Sequence, residues 1–182
     1  ISIFKTTGND NIFLATRNGM AICFNENDAR AVGRTASGVK AIDLADGDYV
    51  VGAEPVREDS KVLLVTDGGY GKCTDLTSFR IQHRGGKGLK AYKITEKTGN
   101  IIGISMVNDS EELIMVTSEG VVIRIRIKDI ATTTGRITQG VRLINLNDGV
   151  TVVSMDKISA EDTVEEESEE NNTEVTAETT EE

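Results

Sequence analysis

The chain has 182 residues, 38% of them hydrophobic, enough to bury the core of one ordinary domain or a few small repeated units. Aromatics make up 4%, Trp is absent and one Pro stands against 18 Gly, which excludes an aromatic-rich core and leaves the turns to glycine. A net charge of −10 argues against a polyanion partner until its distribution along the chain is read.

No apolar run approaches the roughly 18 residues of a membrane helix, and the N-terminus lacks the basic region and apolar stretch of a signal peptide. The reading is a soluble, cytoplasmic protein with no membrane partner. The first residue is Ile1, placed within what reads as a strand, as in a piece of a longer chain.

In chain order, residues 12–16 read IFLAT and are closed by the turn Arg17, Asn18, Gly19, with glycine where a hairpin asks for positive φ. A second strand, MAICF, follows at 20–24, and a polar excursion leads to Arg34, four residues before Gly38. From that glycine a third strand leaves as GVKAIDL, and a fourth reads YVVGAEPV. The order then recurs as VLLVT (62–66), a turn through Asp67, Gly68 and Gly69, YGKCT, Arg84 to Gly88, GLKAYKI and IIGISMV. A third copy gives LIMVT (113–117), a turn through Ser118, Glu119 and Gly120, VVIRI, Arg136 to Gly140, GVRLINL and TVVSMDKI.

Four short strands per unit, at a lag of about 50 residues, predict an all-β, propeller-like array of three four-stranded antiparallel blades over 8–57, 58–108 and 109–158. The β-branched content excludes helical repeats. Phe24, Phe79, Tyr70 and Tyr92 fall at strand spacing and are assigned to the core, not to a stacking platform for single strands. Cys23 and Cys73 each lie four residues after a turn glycine and read as half-buried strand residues. With one histidine in the chain they form no zinc set, and no metal or cofactor is expected.

In the first copy of the third strand, Val39, Ala41 and Asp43 share one face and Lys40, Ile42 and Leu44 the other. Lys40, Lys90 and Arg142 recur at one position, so a cation appears once per unit on the same strand. Ahead of the second copy stands the densest motif, QHRGGKG, comprising Gln82, His83, Arg84, Gly85, Gly86, Lys87 and Gly88. Its spacing does not fit a nucleotide triphosphate loop, because no Ser or Thr follows the lysine. Backbone freed by Gly85 and Gly86 can approach an anion while Arg84 and Lys87 neutralise it, as nucleic-acid phosphates require.

Residues 161–182 hold eleven acids and no base, leaving nineteen acids against all twenty bases in the rest of the chain. The body is therefore about neutral and the acidity belongs to a tail from residue 159 that is expected to be disordered.

The repeat spacing, the QHRGGKG box and the closing acidic tail together resemble the C-terminal domain of the DNA gyrase A protein. The resemblance covers the whole chain and implies a β-pinwheel whose blades exchange strands with their neighbours, this chain supplying the last three of six blades plus the tail. In that family the box carries a second arginine where this sequence has His83, which weakens one phosphate-neutralising charge. It also normally belongs to the first blade, whereas here one blade follows it.

The resemblance implies a duplex-DNA-wrapping module that reads phosphates through Gln82, His83, Arg84, Gly85, Gly86, Lys87, Gly88 and Lys90, joined by Arg34, Lys40, Arg136 and Arg142. The implied partners are the gyrase A catalytic core and the gyrase B protein, with the catalytic tyrosine, metal-binding acids and ATPase outside this chain. The other readings are the C-terminal domain of ParC of topoisomerase IV, a propeller scaffold for proteins, and a propeller enzyme. The last is poorly served by one histidine and no clustered acids.

An acidic tail tethered to a near-neutral body competes with DNA wherever it comes within a Debye length of the basic rim, about 8 Å at physiological salt. Deleting residues 161–182 is expected to tighten duplex binding, most strongly at low salt. Equal affinities of both forms across a salt titration would remove the tail from the mechanism.

Overall fold

The computed structural model describes residues 2–159; the acidic stretch beyond them, read as disordered, lies outside the described residues. Residues 2–10 carry no strand, and Ile1, read as lying within one, is outside the described residues. No α-helix occurs among the described residues, and twelve strands form three sheets.

The first sheet is built on the hairpin of β1 (Asn11–Thr16) and β2 (Met20–Asn25), with β3 (Val50–Pro55) on the far side of β1. The second repeats this with β4 (Lys61–Thr66), β5 (Tyr70–Asp75) and β7 (Ile101–Val107), and the third with β8 (Glu112–Thr117), β9 (Val122–Arg126) and β12 (Val152–Ile158). In the first two sheets the outer strand comes from the next repeat. β6 (Leu89–Lys90) pairs antiparallel with β2 of the first sheet, and β11 (Val141–Arg142) pairs in the same way with β5 of the second. The register is the same at both joints: Met20 faces Lys90 and Ala21 faces Leu89, while Tyr70 faces Arg142 and Gly71 faces Val141.

The exchange explains two departures from three equal four-stranded units. The third sheet has three strands, because no later repeat supplies a partner for β9 among the described residues. Residues 38–44, the third-strand run of the first repeat, form no strand, because no preceding sheet offers them an edge. A further departure is parallel pairing: β10 (Thr132–Thr133) runs parallel to β5, and Ile81 makes the equivalent parallel bridge to Cys23.

The middle sheet is covered by a neighbour on each face, which is why its first strand is apolar throughout and does not alternate. Val62 and Leu64 point into a core shared with Phe13, Ala15, Phe79 and Tyr92, while Leu63 and Val65 point into a second core with Leu113, Met115 and Ile127. Phe13 and Phe79 meet edge to face at 4.8 Å. Burying one such Leu or Phe side chain is worth about 1.5–3 kcal/mol, so both cores hold the blades to each other as much as within themselves. Cys23 and Cys73 are fully buried, not half-buried, and desolvation pushes both thiols up to about 11. They are inert packing residues.

The edges carrying β3, β7 and β12 converge. Met106 N donates to Glu54 Oε2 at 2.9 Å and Lys157 Nζ donates to Met106 O at 2.6 Å, so one polar chain links all three sheets there. Gly52 and Gly103 allow this approach: an added Cβ would lie 3.0 Å from Ile104 Cγ2 and 2.5 Å from Met155 Cγ. With these edges inside, the donated strands β6 and β11 lie on the outer rim.

Among the described residues β9 pairs only with β8, and beside that open edge Val121 and Val122 are 50% and 60% exposed. An apolar unpaired edge is a template for association. Replacing Val122 by Lys is expected to reduce concentration-dependent association of this chain in sedimentation velocity. Unchanged association would show that other surfaces make the contact.

Candidate nucleic-acid interface

The position of the QHRGGKG loop follows from the strand exchange. The chain first runs parallel to β2, with Gln82 N donating to Cys23 O at 2.8 Å, and must then reverse to enter β6 antiparallel to the same strand. Residues 82–88 make that reversal. Gly85 and Gly88 adopt φ of +81° and +73°, values that side chains disfavour. The loop is tied to the preceding repeat, since Gly85 N donates to Ala41 O at 2.6 Å and Asp43 N donates to Gly86 O at 2.9 Å. Residues 134–140 make the equivalent reversal over β5, with Lys93 N donating to Thr138 O at 3.0 Å.

The arginines of the two loops are latches between repeats. Arg84 donates from Nε to Asp28 O at 2.7 Å and from Nη1 to Lys40 O at 2.9 Å, and is half-buried. Arg136 donates from Nη1 to Lys90 O at 3.4 Å, the same carbonyl one repeat later. Arg34, in the first repeat, is exposed. The glycines divide in the same way. A Cβ at Gly88 would lie 2.4 Å from Ala21 O, and one at Gly140 2.3 Å from Gly71 O, whereas Gly38 has nothing within 4 Å. Gly86 lacks a positive φ and a Cβ there would meet only His83 O at 3.8 Å, so its backbone faces open space.

The other residues singled out in the sequence lie as follows. His83 is almost fully exposed, with Nδ1 3.1 Å from Asp28 Oδ2. Gln82 is half-buried and its Nε2 has no hydrogen-bond partner. Lys87 and Lys90 are exposed on the rim. Lys40 pairs with Asp43 at 2.8 Å, and this bond, with Lys87 nearby, holds the Asp43 carboxyl below its ordinary value. Arg142 donates to Tyr70 Oη from Nε and Nη2 at 3.1 and 2.9 Å, and its guanidinium lies 5.5 Å from the Tyr70 ring centroid. That contact, ahead of a smaller one from Lys97, pulls the Tyr70 phenol below its usual range. Phe24, Phe79, Tyr70 and Tyr92 are all buried.

Two cation-bearing loops on an outer rim, each with an exchanged strand behind it, thus stand at one position of successive repeats. The family model described as the DNA gyrase C-terminal domain, a β-propeller, matches residues 10–57, 60–108 and 111–159. The chain belongs to this family. Within it, the chain is 45% identical over 164 residues to the DNA gyrase A protein of Staphylococcus epidermidis, covering 89% of this chain and 18% of that protein. The gyrase A protein of Ureaplasma parvum serovar 3 is 46% identical over 154 residues, 85% of this chain and 18% of its own. The chain thus spans about a fifth of the length of the gyrase relatives it matches.

A solved C-terminal domain of DNA topoisomerase IV superposes with a TM-score of 0.84 at 27% identity, over 95% of this chain and 54% of that one. A DNA gyrase A C-terminal domain gives 0.77 at 25% identity, over 86% and 52%.

Sequence reading placed cations on the rim but missed their partners. Asp28 receives the His83 ring and Arg84 from 55 and 56 residues away, a separation no local motif announces. It also passed over Lys72, fully buried in β5, which stands three residues after its turn glycine where the other repeats have Ile22 and Ile123. That substitution of a cation into an apolar column was a readable signal.

The geometry separates two glycines of one motif. Gly88→Ala combines a disfavoured φ with a backbone clash and is expected to destabilise the chain by about 1–3 kcal/mol or more. Gly86→Ala is expected to be near neutral. Thermal unfolding of the two variants checks this, and equal losses would refute the division.

Proposed function

We propose that the chain binds duplex DNA along its outer rim and bends it, as the wrapping module of the DNA gyrase A protein. The observation that carries this reading is the recurrence of one cation-bearing loop and strand at the donated outer edge of successive blades, with Lys87, Lys90 and Arg142 exposed there. Contacts of this kind fix the path of the phosphate backbone without reading bases, so sequence specificity is low. Bending a 20–30 base-pair site costs about 1–6 kcal/mol, which several weak charge contacts along a curved rim offset.

Lys87 and Lys90 are the point charges that meet phosphates, with Lys40, Arg34 and Arg142 extending the track. Arg84 and Arg136 hold the loops that present them, and Gly86 leaves the backbone open to close approach. In the complete enzyme the bent segment is delivered to the gyrase A catalytic core, which acts with gyrase B to pass strands and introduce negative supercoils in the bacterial cytoplasm. This chain contributes no catalytic residue to that reaction. A topoisomerase IV role is favoured by one observation, the higher TM-score of that solved domain, but the 45–46% identical relatives are gyrase proteins.

Replacing Lys87 by Gln is expected to reduce the magnitude of the slope of log affinity against log salt by about 0.9 without changing the unfolding temperature. Replacing Arg84 by Gln should lower affinity and unfolding temperature together, because two bonds between repeats are lost. Anisotropy titrations with duplex DNA at several salt concentrations read the first quantity and thermal melts the second. Retention that is indifferent to salt, or a Lys87 variant with an unchanged slope, would turn the rim into a plain blade connection.

A further inference from the structure

Lys72 is fully buried, yet among the described residues no carboxylate forms an ion pair with it. Its Nζ donates to Gly135 O at 3.3 Å and to Arg136 O at 2.5 Å, two consecutive carbonyls of the third repeat's rim loop. Beside it, the Tyr92 ring centroid lies 5.3 Å from Nζ, and Tyr92 Oη donates to Gln139 O at 2.5 Å. Two side chains from beneath therefore draw three carbonyls of residues 134–140 inward, away from anything that approaches the rim.

A buried ammonium without a counter-ion is costly, and apolar residues at the same position of the other repeats show that the fold does not need it. The loops themselves suggest its use. The QHRGGKG loop carries Lys87 one residue before its closing glycine and lies over a repeat that has Ile22; the 134–140 loop carries Gln139 in place of that lysine and lies over Lys72. Both loops keep an arginine, and the lysine that the second loop lacks beside Arg136 has a counterpart in the ammonium below it.

We propose that Lys72 is a positioning residue for a second phosphate contact on the rim: it turns the carbonyls of residues 134–140 inward and adds, from beneath the loop, a positive charge beside that of Arg136. The proposal rests on the reading of the rim as a duplex-DNA path. A phosphate at this loop is the counter-charge that the protein withholds from Lys72, acting across one layer of backbone in a medium less polar than water.

Burial, and secondarily the charge of Arg136, pushes the Lys72 ammonium down to about 8. Of the other groups facing it, Arg136 is a guanidinium, and desolvation pushes the Tyr92 phenol well above its usual value. Tyr70, on the same strand, is pulled below its usual range by Arg142, and the K72M variant, which keeps Tyr70, separates its titration from that of Lys72. Phosphate binding favours the protonated amine and so raises its pKa. Binding then takes up a proton above about pH 8, and affinity falls as pH rises through that value but not below it. In the free protein the sign is opposite. The folded-state pKa is lowered, so stability rises with pH from about 8 toward the ordinary lysine value.

The test uses a duplex of about 40 base pairs at fixed ionic strength, with anisotropy titrations at about pH 7 and pH 9 for the chain and its K72M and K72R variants. The unsubstituted chain should weaken about three- to tenfold between the two pH values. K72M should bind with the weaker affinity at both, and K72R, which keeps its charge, should bind tightly at both. Thermal melts accompany each titration, and the pH-dependent gain in stability should disappear in K72M. If K72R fails to fold, the difference between K72M and the unsubstituted chain decides. Identical affinities and pH profiles for those two, with a normal salt slope, overturn the role of Lys72 alone. Salt-independent retention in the unsubstituted chain overturns the DNA path itself, and the proposal with it.

Discussion

The outer edges of β2 and β5 are completed by the following repeat, and the rest of the molecule depends on that exchange. A β-edge left bare would carry unpaired amides and carbonyls at the rim. The following repeat covers both strands, first with a parallel bridge and then with an antiparallel pair, so the connecting chain must reverse direction outboard of the sheet. The rim loops are that reversal. Their closing glycines are fixed by the carbonyls of Ala21 and Gly71 that they pass, and their arginines by the carbonyls of Lys40 and Lys90. The candidate surface stands where the backbone geometry already required a turn.

The sequence made the repeat legible and left its wiring obscure. Runs such as VLLVT, apolar on both faces, identify buried strands, and in the middle sheet the structure places Val62 and Leu63 in two different cores. A period of about 50 residues, however, is the same whether GLKAYKI pairs within its own unit or with the one before it. Family resemblance supplied the exchange that composition and spacing could not. The one physical trace of it in the sequence is small: Gly38, Gly88 and Gly140 recur, but only the last two meet a backbone.

For the site, the positions of the cations were readable and their duties were not. Lys87 and Arg84 look alike in QHRGGKG, but one is exposed and the other is bonded to carbonyls at Asp28 and Lys40, 56 and 44 residues earlier. A guanidinium with several donors in a rigid fork can bridge such carbonyls, while a lysine's point charge suits an open surface. The glycines diverge for a similar reason. Gly85 and Gly88 adopt the positive φ that the turn needs, while Gly86 does not and is exposed at the surface.

Net charge is a poor guide to a surface of this kind. At −10 overall the chain should repel a polyanion, yet all twenty of its bases fall outside the acidic stretch, and the repeats deliver several of them to one rim. A polyanion at the rim would sense chiefly the charges within about a Debye length, roughly 8 Å at physiological salt, and not the sum over the chain. The arginine latches add a mechanical consequence. Since Arg84 joins the rim loop to both Asp28 and Lys40, load on the loop passes into the contact between repeats. A duplex held on the rim would therefore pull on the joints between blades as well as on single side chains, and curvature of the rim and curvature of the DNA become one coupled property.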